Sequence, residues 1–370
     1  MLALIRAVTW LFASEVRGAL LPGRDEIIAT VNWPVTSARA NTIRRDALIH
    51  ATTRLPAPPT SDQHSPIPDP RSPIPSLLTC RYLAGEPSGT SAKFDCVLGS
   101  GEIVKVKYGR NAEIHAEAAA TRLLTLLGYA ADDVRLVPRV RCYGCPRFPF
   151  LATRLLALVG LPNALAPHGY DSGYSEFEWA SVERRFHAPA IESPASEGWA
   201  WFELTASQAP RADLDAFRLL AVFLAHWDNK AENQRLVCLD DSPGGPDRRC
   251  TRPLLMIQDA GATFGPVKAN LAGWRRLPVW ADRRACTVSM RALPYSGATF
   301  PDARITEAGR AQLARALAAL SPAQIEDLFR DARFPKFHAG TDDQRDLDAW
   351  VSAFRHRVDQ IATAGPCENG

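Results

Sequence analysis

His226-Trp-Asp-Asn-Lys-Ala-Glu-Asn233 is the stretch on which the fold of this chain is decided. Residues 214–225 before it are apolar nearly all round, the pattern of a helix buried in a large unit. Arg235-Leu-Val-Cys238 after it reads as a strand, and Leu254-Leu-Met-Ile-Gln258 as a second one that ends at Asp259-Ala-Gly261. Residues 239–249 between the two strands are polar and rich in Pro and Gly, which makes them a loop. Upstream, residues 92–98 and 103–108 read as two strands joined by Gly99-Ser-Gly101, a hairpin. Residues 113–127 are rich in helix formers, with Asn111 placed to cap the helix and Gly128 to stop it. The rest is mostly helical. Ser321-Pro-Ala-Gln324 and Thr341-Asp-Asp-Gln344 read as capping boxes, and the second opens a helix with the stripe Leu347, Val351, Phe354, Val358, Ile361, ended by Gly365-Pro366.

The octet resembles the protein-kinase catalytic loop His-Arg-Asp-x-Lys-x-x-Asn, with Asp228, Lys230 and Asn233 on that family's Asp, Lys and Asn. The resemblance gives the spacing a chemical sense. An Asp beside an attacking hydroxyl orients it and accepts its proton, while the Asn that follows turns back to hold a metal ion on the phosphates. A Lys between them neutralises the transferring group. Asp259-Ala-Gly261 resembles the kinase Asp-Phe-Gly with Ala260 in place of Phe, so Asp259 is expected to hold the metal and a switch by a flipping Phe is not expected. A lysine on the second hairpin strand and a glutamate on the next helix complete the set. They are Lys107, with Lys105 two residues back on the same face as its competitor, and Glu117, with Glu113 one turn earlier as the alternative.

Two kinase signatures are missing: the Gly-x-Gly-x-x-Gly loop and the Ala-Pro-Glu that ends an activation segment, where the chain instead runs Ala262-Thr-Phe-Gly-Pro266. In place of the first stands Ser88-Gly-Thr-Ser-Ala-Lys93, similar to the short phosphate-clasping loop of HipA-like kinases, with Gly89 to let amides approach phosphate and Lys93 to add charge. The resemblance is therefore to the atypical branch of the superfamily, HipA-like, phosphatidylinositol-kinase-like and secretory-pathway kinases, over residues of about 80–365. It implies an α+β, two-lobed protein-kinase-like fold, with a small β-rich N-lobe carrying one helix at 80–160 and a larger, mainly helical C-lobe at 161–365. It also implies ATP with Mg²⁺ or Mn²⁺ and a hydroxyl acceptor, first a protein Ser or Thr, then a lipid or small molecule. Retention of base, metal ligands and a lysine–glutamate pair favours an active phosphotransferase; the alternatives are a nucleotide-binding pseudokinase scaffold and a kinase-fold enzyme that transfers AMP.

Neighbouring residues are read as structural. His226 shapes the loop, and Trp199 and Trp201 pack a large lobe. Trp227 fills the family's Arg position, which argues against activation by a phosphate on the activation segment. The 370-residue length suits two packed units, and no run of 18 apolar residues offers a membrane span. A net charge of +3 is too weak a bias to predict a nucleic-acid partner. Eight cysteines include Cys238 and Cys250, read as a disulfide closing the polar loop, and Cys142-x-x-Cys145, a local disulfide or two free thiols. They lean toward an exported, oxidising setting. Residues 1–14 are equally a degraded signal peptide, a misplaced start or an amphipathic helix. Residues 1–79 are read as an extension whose prolines at 56–75 make a linker.

Overall fold

The computed structural model describes residues 33–56, 74–85, 89–158, 173–193, 197–240, 250–291, 293, 300, 302–337, 342–363 and 365–367. The reading of residues 1–14 and most of the proline-rich stretch lie outside the described residues, as do Ser88 and Thr341. In chain order the elements are α1 (Trp33–His50), β1 (Leu78–Leu83), β2 (Lys93–Leu98), β3 (Ile103–Lys107), α2 (Ala112–Leu126), β4 (Asp133–Tyr143), α3 (Pro149–Leu158) and β5 (Tyr174–Arg184). A helical stretch follows: α4 (Arg211–Leu224), then the hairpin β6 (Gln234–Cys238) and β7 (Pro253–Ile257), then α5 (Leu271–Arg276), the short pair β8 (Thr287–Val288) and β9 (Ala303–Arg304), and α6 (Glu307–Ala318), α7 (Pro322–Asp331), α8 (Phe334–Phe337) and α9 (Asp343–Ala362). The chain is thus α+β, as its patterning predicts.

Strands β1-β2-β3-β5-β4 close into a barrel, antiparallel throughout except where β1 meets β4. The predicted hairpin is its β2–β3 pair. Alternate residues fill the interior, among them Phe94, Val104, Val106, Val140, Phe177 and Val182, with the disulfides Cys80–Cys96 and Cys142–Cys145 in the same cluster. Two features depart from the sequence reading. The sheet does not end near residue 160, because β5 belongs to it, and a second helix, α3, accompanies α2. β5 was hidden because its alternation breaks at Glu178 and Trp179, both exposed, with Trp179 at φ 49°.

The second, larger core is built around α4, every residue of which from Leu214 to Leu224 is buried except Arg218. Trp274, Phe329, Phe334, Trp350 and Phe354 pack there edge to face, and α2 contributes Ile114, Ala116, Leu123 and Leu124. Trp199 and Trp201 are wholly buried in this core, as predicted, and line no groove. The extension is only in part an appendage: Ala47, Leu48 and Ala51 join this core, and Thr52 bridges Leu254. The reason is chemical, since Arg44 forks across both carboxylate oxygens of Glu203 at 2.8 and 2.9 Å and reaches the Gly198 carbonyl. The Ser321 capping box is present, whereas α9 is capped by Asp342, which accepts from the Gln344 and Arg345 amides. Two more disulfides, Cys238–Cys250 and Cys286–Cys367, close the β6–β7 loop and bind the carboxy-terminal residues to the β8 region.

Candidate active site

Strand β3 and helix α2 supply the first pair. Asn111 caps α2 by accepting from the Glu113 amide, which fixes where the helix starts and so which carboxylate faces the sheet. That carboxylate is Glu117: Lys107 Nζ donates to both of its oxygens at 2.6 and 2.7 Å, with both side chains almost wholly buried. Lys105 is held elsewhere, by Glu183 of β5. Two more carboxylates approach Lys107, Glu183 at 3.9 Å and Asp259 at 4.0 Å.

The octet and Asp259 are joined through the main chain. The amides of Gln258 and Asp259 both donate to the Asn233 carbonyl at 3.1 Å, so the end of β7 is clamped to the end of the loop. The loop closes on itself. Asn233 Nδ2 donates to the Asp228 carbonyl at 2.7 Å, Asn229 Nδ2 to His226 at 2.6 Å, and Gln234 Nε2 to Asn229 at 3.0 Å. Ala225, at φ 56°, makes the left-handed turn that ends α4 and starts the loop. Gly198 (φ 62°) packs against the loop so tightly that a Cβ would overlap the carbonyl oxygens of Ala231 and Gln234. Gly261 likewise leaves room for Glu113, and its amide donates to Asp259 Oδ1 at 3.1 Å.

The loop before β2 is a third piece. Gly89 sits at φ 75° with its carbonyl held by Arg154 of α3, and Lys93 Nζ lies 3.2 Å from where a Cβ on Gly89 would stand. Ser91 Oγ donates to Glu113 at 2.6 Å, tying this loop to the start of α2. The sequence-predicted residues Lys107, Glu117, Asp259 and Asn233 are thus one connected set, with Asp228 and Lys230 on the same loop and Gly89 and Lys93 at its rim. Lys105 is withdrawn from the Glu117 pair. Glu183, Arg154 and Gly198 were not found from sequence, and Ser91 was read only as part of the Ser88–Lys93 loop. Of the first three only Gly198 carried a signal, a glycine beside Trp199 and Trp201.

The electrostatics separates the acidic groups. Burial pulls the Asp259 carboxyl upward, but Lys107, the Gly261 amide and the two other lysines outweigh it and hold the group below the usual carboxylate range. Asp228 moves the other way, raised by burial and by the charges of Asp259 and Glu113 against the pull of Lys230 and Asn233. Burial opposes the charge on Lys107, yet Glu117, Asp259 and Glu183 together keep it protonated; burial raises Glu117. Lys93 is lowered by burial and by the neighbouring lysines. His226 is buried and pushed down to about 4, so it is neutral and shapes the loop. The Asp259 carboxylate, with its depressed pKa, and the amide oxygen of Asn233, to whose main chain Asp259 is bonded, are hard oxygen donors of the kind Mg²⁺ or Mn²⁺ takes. Glu117, Glu183 and Asp259 surround Lys107, but among the described residues no three carboxylates bring oxygens within 4.8 Å of one another, as a closed cage would require. An open site of this kind is completed by water and substrate phosphates.

No protein-family model and no curated protein matches the chain. Among solved structures it is similar to a Helicobacter pylori proinflammatory kinase, CtkA, at 10% identity and a TM-score of 0.38, over 78% of this chain and 97% of that one. It is also similar to the golgi casein kinase (12% identity, TM-score 0.37, 79% of this chain and 73% of that one) and to the golgi casein kinase with Mn/ADP bound (13%, 0.34, 79% and 73%). Likenesses this faint carry nothing about what the chain binds or does.

Proposed function

We propose that the chain is a two-lobed, protein-kinase-like phosphotransferase that moves the γ-phosphate of ATP to a hydroxyl, first of all a protein Ser or Thr. The observation that carries this reading is the buried Lys107–Glu117 pair with Asp259 4.0 Å from the lysine and main-chain bonded to Asn233. A lysine kept protonated by burial with carboxylates serves as a fixed cation for phosphate oxygens. Lys107 takes that role, Glu117 orients it, and Gly89 with Lys93 borders the phosphates from the loop before β2.

Asn233 spends its amide nitrogen on the loop, which leaves its side-chain oxygen, with Asp259, as the group that would hold Mg²⁺ or Mn²⁺. The ion would supply charge neutralisation at the phosphates. Asp228 orients the acceptor hydroxyl and takes its proton, a task its raised pKa suits, and Lys230 balances charge beside it. Trp227 donates to the Val267 carbonyl at 3.2 Å, so the segment after Asp259 is held by a neutral bond where the kinase loop has Arg. That supports activity without a phosphate on this segment. Four disulfides support an exported protein, and no described helix is long and apolar enough to cross a membrane.

Binding of ATP with and without Mn²⁺, measured by calorimetry on the wild type and Asp259→Asn, tests the metal assignment. Metal-dependent binding that the substitution abolishes is expected; equal binding in both would remove Asp259 from that role. Intact-mass measurement of the products then distinguishes phosphate addition from AMP addition, and binding with neither product is the pseudokinase outcome.

A further inference from the structure

Glu183 stands on β5, outside every motif in the sequence, yet its carboxylate binds Lys105 and approaches Lys107, the two lysines that competed for one role in the sequence. In antiparallel pairing, directly opposite residues project to the same face. Lys93 faces Lys107, Asp95 faces Lys105, Lys105 faces Glu183 and Lys107 faces Ser181. One face of the barrel therefore gathers three lysines, with the Lys105 side chain 19% exposed and that of Lys107 3%. Three ammonium groups this close repel one another, and each competes for the same carboxylates. Glu183 divides them. One oxygen binds Lys105, the other lies 3.9 Å from Lys107, and the side chain is almost fully buried.

We infer that Glu183 is a positioning residue: by holding Lys105 against β5 it reserves Glu117 and the anion site for Lys107. The inference rests on the phosphotransferase reading and adds to it the residue that selects between two lysines of one strand. With Glu183 neutral, Lys105 is free to swing toward Glu117 and Asp259, and Lys107 loses its fixed place.

The test is a set of four proteins, wild type, Glu183→Gln, Lys105→Met and the double variant, each assayed for KM and kcat with Mn²⁺–ATP and for thermal unfolding. Glu183→Gln is expected to raise KM at least tenfold. Removing Lys105 in that background is expected to recover most of the loss, since nothing then remains to be held. Loss of packing alone would leave the double variant as impaired as Glu183→Gln. An unchanged KM in Glu183→Gln, or no recovery in the double variant, would overturn the inference. Amine labelling in the absence of nucleotide, read residue by residue by mass spectrometry, keeps it separate from the parent proposal. Lys105 is expected to label faster in Glu183→Gln than in the wild type, and equal rates overturn the inference. A wild type that labels as expected but neither binds nor turns over ATP overturns the phosphotransferase reading alone.

Discussion

At the scale of single residues, buried charge governs both stability and chemistry. Lys107 and Glu117 are buried together, so removing one partner leaves the other uncompensated, a loss of about 3–5 kcal/mol, whereas replacing both with apolar groups is close to neutral. Lys107→Met is thus expected to lower the unfolding free energy by that much. Lys107→Met with Glu117→Leu is expected to regain it without regaining nucleotide binding; denaturant titration beside a binding assay checks both halves. His226 provides a pH test. Its folded pKa of about 4 lies below the ordinary 6.5, so the unfolded chain binds the proton more readily. Its contribution is complete above about pH 6.5 and is lost as pH falls toward 4, by about 3 kcal/mol at most. His226→Asn should flatten that part of the stability curve, and a mutant with the same slope as the wild type would refute the assignment. The raised Asp228 carboxyl predicts an acid limb of kcat/KM above the usual carboxylate range, absent from the residual activity of Asp228→Asn. The placement of Asp228, Asn233 and Asp259 on one loop and at the end of the next strand was legible, because a motif fixes their spacing. Lys107 was the first choice on sequence but Lys105 stayed its competitor, because both lie on one face of one strand and the contact that separates them, Lys105 with Glu183, involves a strand 76 positions further on than Lys107.

At the scale of elements the loop is held from behind. Gly198 lies between Arg44 of α1 and the loop: its carbonyl accepts from the Arg44 guanidinium, and its missing Cβ leaves space for the loop. Gly198→Ala meets both a positive φ and two carbonyl oxygens, so it is expected to shift the loop, lower kcat and depress the melting temperature. A melting temperature and kcat equal to those of the wild type would contradict this packing. Helix α2 is tied to the helical part by Arg122 to Asp331 and by His115 to the Ala332 carbonyl at 2.8 Å. These ties fix the helix that carries Glu117 against the helical part. Elements with local signals were legible: the β2–β3 hairpin from Gly99-Ser-Gly101, α2 from Asn111 and Gly128, α4 from its uninterrupted apolar run. β1, β4 and β5 were not, since barrel closure depends on pairings distant in sequence and β5 loses its alternation at Trp179. Helix α1 was hidden by its even spread of polar and apolar residues; what docks it is Arg44, a contact no periodicity reveals.

At the scale of the whole molecule, four disulfides divide between the barrel and the helical part, and their contributions follow the loops they close. By chain entropy Cys286–Cys367, separated by 81 residues, stabilises most, about 4–5 kcal/mol, and Cys142–Cys145 least. Reduction under native conditions should lower the melting temperature, and Cys286→Ser with Cys367→Ser should account for the largest share of that drop. Equal losses from all four pairs would contradict the ordering. Most directly, the central claim is tested by incubating the purified chain with Mn²⁺ and ATP labelled at the γ-phosphate, beside Asp228→Ala, and following label in protein and in released phosphate. Metal-dependent transfer or release is expected in the wild type, lost in Asp228→Ala while nucleotide still binds. Equal turnover in the two proteins, or a wild type that binds no nucleotide with metal present, would contradict it.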